Sequence, residues 1–165
     1  MRYEGPLFRA INPIHAYEPL SGRGAEIHGG RFNRKGTAAL YTSLSVMTAI
    51  REANQVGSLQ PTTLVSYQAE IENVFDCRDD IALKTYGIDI AALADTSWRD
   101  QMKATGASRS QVFAARLATD GFQALLVRSF ALGANDQDLN LFLWRWSDAG
   151  PSQLTLIDDE QRLRR

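Results

Sequence analysis

The sequence predicts an α+β fold. Strand-like runs lie at both ends of the chain, helical periodicity fills the region between them, and the helices are too unevenly spaced for a doubly wound parallel sheet. At 165 residues the chain falls within the range of one domain with one substantial core, and no Pro/Gly/Ser linker or internal repeat divides it.

Taken in order, Leu7-Phe8-Arg9-Ala10-Ile11 is an apolar, strand-like run interrupted by one arginine. Residues 15–37 follow as a long segment with few apolar positions and five glycines. Loops longer than about 12–15 residues in a compact domain are usually functional or disordered. The ordered-looking Arg31-Phe32-Asn33 within this one favours function. Residues 38–43 read as a short strand. Ser45 then caps a helix whose apolar positions are Val46, Ala49, Ile50 and Ala53, and Gly57 and Pro61 end it.

A longer strand is expected over 62–71, short helices over 79–105, and a helix over 109–119 capped by Ser108 or Ser110 and stopped by Gly121. Strands are expected at 123–128, 139–146 and 153–157. In the second of these, period-two alternation puts Asn140, Phe142, Trp144 and Trp146 on one face.

The net charge of −1 gives no global positive field for nucleic acid or an anionic membrane, so any anion binding must be local. One cysteine, Cys77, excludes an intramolecular disulfide framework. No apolar run approaches the roughly 20 residues that span a bilayer. The first six residues lack the apolar core of a signal peptide. A cytoplasmic address is the expectation. His15 and His28 are isolated, no Cys/His spacing suggests zinc, and no metal is expected.

Three cations fall within five positions of Gly29-Gly30-Arg31-Phe32-Asn33-Arg34-Lys35-Gly36. Glycines permit close backbone approach to a ligand, and the planar arginine fork suits a diphosphate. The same run also reads as a solvated loop with a tight turn. It is neither a Walker loop nor a dinucleotide fingerprint, because the spacings differ.

Glu52 sits about 110° from the centre of its helix's apolar stripe and can look along the flank toward the strand carrying Tyr41. Taken alone, an exposed helix glutamate beside Arg51 is the better reading, because glutamate is mostly a surface residue. Tyr41 can stack on a planar heterocycle, or be a half-buried strand tyrosine. Arg9, in its apolar run, needs a partner or an anion.

Together these residues form a pattern. Gly24-Ala25, Gly29-Gly30-Arg31-Phe32-Asn33, Gly36 and Leu40-Tyr41-Thr42-Ser43, then Ala49 and Glu52, closely resemble the RES domain. Leu126-Val127-Arg128-Ser129-Phe130 and Leu139-Asn140-Leu141-Phe142-Leu143-Trp144 match as well, so the resemblance runs from about Phe8 to Ile157-Asp158-Asp159. The arginine, glutamate and serine that name the family look like Arg31, Glu52 and Ser129. Two departures stand out: Phe32 where many relatives have tryptophan, and Arg128 where proline is common.

The resemblance implies an ADP-ribosyltransferase-like split antiparallel sheet with NAD in the central cleft. It implies a toxin of a type II toxin–antitoxin pair, neutralised by a helix-turn-helix antitoxin of the Xre/ParS type. Such a toxin cleaves the nicotinamide–ribose bond of NAD and passes ADP-ribose to water, phosphate or a protein target, without a metal. On this resemblance Glu52, Arg31 and Tyr41 are the catalytic candidates. Arg9, Arg31, Asn33, Tyr41, Ser129 and Asn140 are the NAD-contacting or site-lining ones. Related ADP-ribosylating enzymes often carry a second glutamate two positions before the first; here that position is Ile50. An inactive NAD- or nucleotide-binding regulatory module remains the alternative.

Overall fold

A computed structural model describes residues 1–55 and 57–164. Its elements are β1 (Tyr3–Ile11), a 3-10 turn (Pro13–His15), α1 (Arg23–His28), β2 (Leu40–Ser43), α2 (Val46–Ala53), β3 (Thr63–Ile71), β4 (Val74–Asp76), α3 (Asp80–Thr85), α4 (Ile90–Ala94), α5 (Trp98–Thr105), α6 (Arg109–Thr119), β5 (Ala124–Arg128), β6 (Leu139–Leu143) and β7 (Ser152–Leu156). The seven strands form one sheet in the order β4-β5-β6-β2-β1-β3-β7. Every described pairing is antiparallel except β4 with β5. The α+β expectation holds.

The sheet is strongly joined on either side of its middle and weakly joined there. β1 and β3 pair over nine positions, from Tyr3↔Ile71 to Ile11↔Thr63. β1 and β2 meet at a single register position, Phe8↔Ser43. Two half-sheets diverge from that point, and the opening between them is the cleft described below.

Side-chain alternation sends the two faces into separate cores. Leu7, Tyr67, Ala69, Ile71, Leu126, Leu141 and Leu143 pack on one face. Phe75, Leu125, Val127 and Phe142 face the other way, against Leu83 of α3, Leu93 of α4 and Phe113 and Leu117 of α6. α3, α4 and α6 therefore cover the β4-β5-β6 half, α5 packs on α6, and α2 packs on β1.

Local chemistry accounts for the helix starts. The Ser45 hydroxyl accepts from the Thr48 N–H at the head of α2. At α6, Ser108 and Gln111 form a reciprocal capping box. Ser108, not Ser110, is thus the cap.

Three expectations change. The 15–37 segment contains α1, whose Arg-Gly-Ala-Glu-Ile-His sequence buries no residue and so shows no apolar stripe. β4 has only three residues, too short for a period to show. The strand expected at 139–146 ends at Leu143. Phe142 and Trp144 stay with the helix-side core, while Trp146 packs against the opposite one and donates its Nε1 proton to the Leu20 carbonyl at 2.9 Å. The alternation fails there because the chain leaves the ladder.

Candidate functional site

A cavity of about 450 Å3 opens where β1 and β2 part. That lies within the usual range of small-molecule sites. Its wall includes Arg9 from β1, Tyr41 and Ser43 from β2, Glu52 from α2, Gly30 and Arg31 from the glycine-bordered loop, and Asn140 from β6. Trp98 and Arg99 of α5, Arg128 at the end of β5 and Phe130 beyond it also line it.

Glu52 reaches it from the last turn of α2. One carboxylate oxygen, Oε1, accepts from the Asn140 amide at 2.6 Å and from the Ser129 hydroxyl at a very short distance. The other, Oε2, accepts from Gln55 Nε2 at 2.6 Å. Asn140 is itself fixed, because its amide oxygen accepts from the Ser43 hydroxyl at 2.7 Å. Ser43 and Asn140 are opposite one another in the β2·β6 register. Sheet pairing thereby sets the direction of the amide that holds Glu52.

The serine is fixed from the other side. The Ser129 N–H donates to the Asp138 carbonyl at 2.6 Å, and the Asp138 carboxylate accepts from Thr48 and Arg51 of α2 and from the Asn135 N–H. The 129–138 loop is clamped to the helix that carries Glu52. Those contacts hold the Asp138 carboxyl below the usual carboxylate range, with the Asn135 N–H as the largest cause. Arg128, in place of the common proline, pairs with Asp136 at 2.8 Å and leaves Ser129 in contact with Glu52.

The loop carrying Arg31 is held as firmly. Ser110 donates to the Arg31 carbonyl, Gln111 to the Gly30 and Asn33 carbonyls, and the Trp144 indole to the Phe32 carbonyl. Arg31 itself donates from Nη1 to the carbonyls of Leu93 and Asp95, both at 2.8 Å, and lies 5.2 Å from the Phe130 ring centroid. Burial lowers its pKa, while the Glu52 carboxylate opposes that shift. Glu52 and Arg31 therefore sense each other across the cavity.

Several sequence-predicted residues direct their polar atoms into the protein. The Gly30 backbone makes its close approach to Tyr41, not to open cavity. A Cβ on Gly30 would meet the Tyr41 hydroxyl and lie 2.6 Å from Asn33 Oδ1. Tyr41 presents its ring to the cavity, but its hydroxyl points inward to Asn33 Oδ1 and receives the Phe32 N–H at 3.2 Å. Burial pushes its pKa well up.

Asn33 is 2 % exposed and absent from the cavity wall. Its amide donates to the carbonyls of Ala25, Arg34 and Thr37. Expected to contact NAD, Asn33 has its polar atoms engaged inside the loop. Ser129, 4 % exposed, likewise lies behind Glu52 rather than in the wall.

Arg9 lines the cavity, yet its Nη1 donates to the Pro19 carbonyl at 2.8 Å, which also accepts from Tyr67. Its partner is this strap of the 12–22 segment. Arg99 and Trp98 went unnoticed in the sequence. They lie in a stretch with no strong periodicity, and only the packing of α5 brings them to the cleft.

Among the described residues Glu52 is the one carboxylate in the wall, facing the guanidinium-bearing side chains of Arg9, Arg31, Arg99 and Arg128. Also among them, no group of three His, Cys, Asp or Glu could hold a metal ion, and no helix is long and apolar enough to cross a membrane. Fold and cleft together define an α+β protein with an arginine-lined cavity that carries one buttressed carboxylate in its wall. The RES domain family model matches residues 6–165, and the chain belongs to that family. A comparison with the curated proteins finds no match.

Proposed function

We propose that this chain is the toxin of a type II toxin–antitoxin pair and that it cleaves the nicotinamide–ribose bond of NAD. Membership of the RES-domain family supports the substrate. One observation carries the chemistry: the Glu52 carboxylate, held by Ser129 and Asn140, shares a cavity with Arg31 and Tyr41.

The bond between ribose C1′ and the pyridinium nitrogen breaks with its electron pair going to nitrogen, so nicotinamide leaves neutral. Positive charge develops on the ribose ring, as in glycoside cleavage. Glu52 lies ready to stabilise that charge and to orient the sugar through its hydroxyls. Because the carboxylate is already hydrogen-bonded, little reorganisation accompanies the reaction.

Arg31 binds the phosphates with the N–H groups that the Leu93 and Asp95 carbonyls leave free. The Tyr41 ring packs on nicotinamide. The acceptor then adds a lone pair to C1′: water or a protein side chain sheds a proton, and phosphate adds as the anion. A helix-turn-helix antitoxin of the Xre/ParS type is the proposed neutralising partner.

Mass spectrometry after incubation with NAD, phosphate and cell lysate tests this reading. Free ADP-ribose, phosphorylated ADP-ribose or a mass-shifted protein each names an acceptor. Binding of NAD with no release of nicotinamide would overturn the enzymatic reading and leave a nucleotide-binding module.

A further inference from the structure

We propose that Arg99 is a specificity-determining residue that, beside Arg31, grips a phosphate group at the mouth of the cleft. This rests on the NAD reading above. The guanidinium of Arg99 lies 4.4 Å from the centroid of the Trp98 ring, and that of Arg31 lies 5.9 Å from the same ring. One buried indole thus serves as the platform that brings two cations to the cavity wall.

The helix terminus and Arg31 both favour an anion beside Arg99. Arg99 is at the second position of α5, where the helix dipole opposes a positive charge. Arg31 repels it, and this repulsion is among the causes that lower the Arg31 pKa. Among the described residues Arg99 forms no ion pair, although Asp95 and Asp100 are close in sequence. Asp95 instead turns its carboxylate to Ser97 and Gln101. Among the described residues Arg9, Arg31 and Arg128 each have an oxygen acceptor in the protein, whereas Arg99 has only the indole face. An anion in the mouth would complete it.

Phosphate is the anion class that suits two guanidinium forks. It can come from the pyrophosphate of a dinucleotide or from free phosphate entering as acceptor. Arg99 is exposed, so Arg99→Gln and Arg99→Lys should keep the wild-type unfolding temperature.

Calorimetric titration with ADP-ribose, inorganic pyrophosphate, inorganic phosphate and adenosine provides the test, alongside steady-state nicotinamide release. The expected result is that Arg99→Gln weakens ADP-ribose and pyrophosphate roughly three- to tenfold and raises the KM for NAD similarly. Its kcat should stay within about twofold, since the contact is made before and during reaction alike. Adenosine should be unaffected and Arg99→Lys intermediate. A loss confined to inorganic phosphate would also support the subsite and assign it to the acceptor.

Wild-type affinity of Arg99→Gln for all three phosphate compounds would overturn the proposal. A wild-type protein that binds ADP-ribose but releases no nicotinamide would overturn only the enzymatic reading, leaving Arg99 measurable. One that binds no phosphate compound would overturn both.

Discussion

Replacing Glu52 with glutamine removes one negative charge and almost no volume, so its effect on rate isolates the electrostatic part of the proposed mechanism. The carboxylate lies in the wall of an open cavity, which makes an effective dielectric constant of about 20 the appropriate choice. At roughly 4 Å from a developing ribosyl cation, one charge is then worth about 4 kcal/mol. At 1.36 kcal/mol per decade, kcat for nicotinamide release should fall roughly a thousandfold. The fold should survive. The Ser129 and Asn140 donors can still reach an amide oxygen, and only the Gln55 contact at Oε2 is set against a new N–H. A cost near 1 kcal/mol follows for that contact. Continuous detection of nicotinamide, with a thermal melt on the same preparation, measures both. A folded Glu52→Gln protein retaining more than a tenth of wild-type kcat would refute the assigned role.

Gly30→Ala should destabilise the protein by about 2 kcal/mol or more, because the new Cβ meets Tyr41 and Asn33 inside the fastened loop. Adding Tyr41→Phe should recover part of it, whereas Gly24→Ala, with nothing within 4 Å, should be neutral or mildly stabilising. Denaturant unfolding separates the three, and equal effects at positions 24 and 30 would contradict the packing argument. The carboxyl of Asp138 has a pKa below its ordinary value. Its contribution is therefore fully present above about pH 4 and lost as pH falls through the depressed value. Asp138→Asn should lower the unfolding temperature at neutral pH and flatten its acid dependence; parallel wild-type and variant profiles from pH 7 to 2.5 would argue against the clamp. Raising salt from about 0.1 M to 1 M shrinks the screening length from about 10 Å to 3 Å. The KM for NAD should rise with salt while kcat stays nearly constant, and a flat KM would show that the arginines of the cleft do not attract the substrate.

β1, β3 and the two capped helices were legible because each buries one face, and β5 and β6 because they are near-continuous apolar runs buried on both. The pattern Val46, Ala49, Ile50, Ala53 behind Ser45 marks the start of α2, which ends at Ala53, short of the expected stop at Gly57, and alternation marks β3. α1 and β4 were not legible, since one buries nothing and the other is too short to show a period. At the site, residue types pointed to Glu52, Arg31 and Tyr41, which do share a cavity. What spacing could not give is the direction each polar atom takes. Asn33 looks like a ligand contact beside Arg31, yet three carbonyls and a tyrosine use it up. Arg9 looks like an anion holder, yet a carbonyl reached only after the chain turns through 12–19 takes its Nη1. The signal for Arg99 was absent altogether, because a cation in a polar helix is an ordinary surface residue until packing places it.

Much of the polar chemistry near the cleft is thus spent on the protein itself, and the location of those contacts explains why. Glu52 comes from a helix, Ser129 and Asn140 from two strand ends, and Arg31 from a loop with little regular structure of its own. Each would wander by more than the half-ångström tolerance of a reacting centre if only backbone pairing held it. The Asp138 clamp joins the helix to the serine loop, the Ser43–Asn140 pair joins the glutamate to the sheet, and Ser110 and Gln111 join the arginine loop to α6. Of these ties the Asp138 clamp, through α2 packed on β1, is the one that crosses where β1 and β2 part and the ladder gives least support; the other two lie on the β2 side. With its hydroxyl on Oε1 and its N–H on Asp138, the serine in the family's name connects the carboxylate to the clamp, and in the proposed mechanism it acts through the glutamate without touching the substrate.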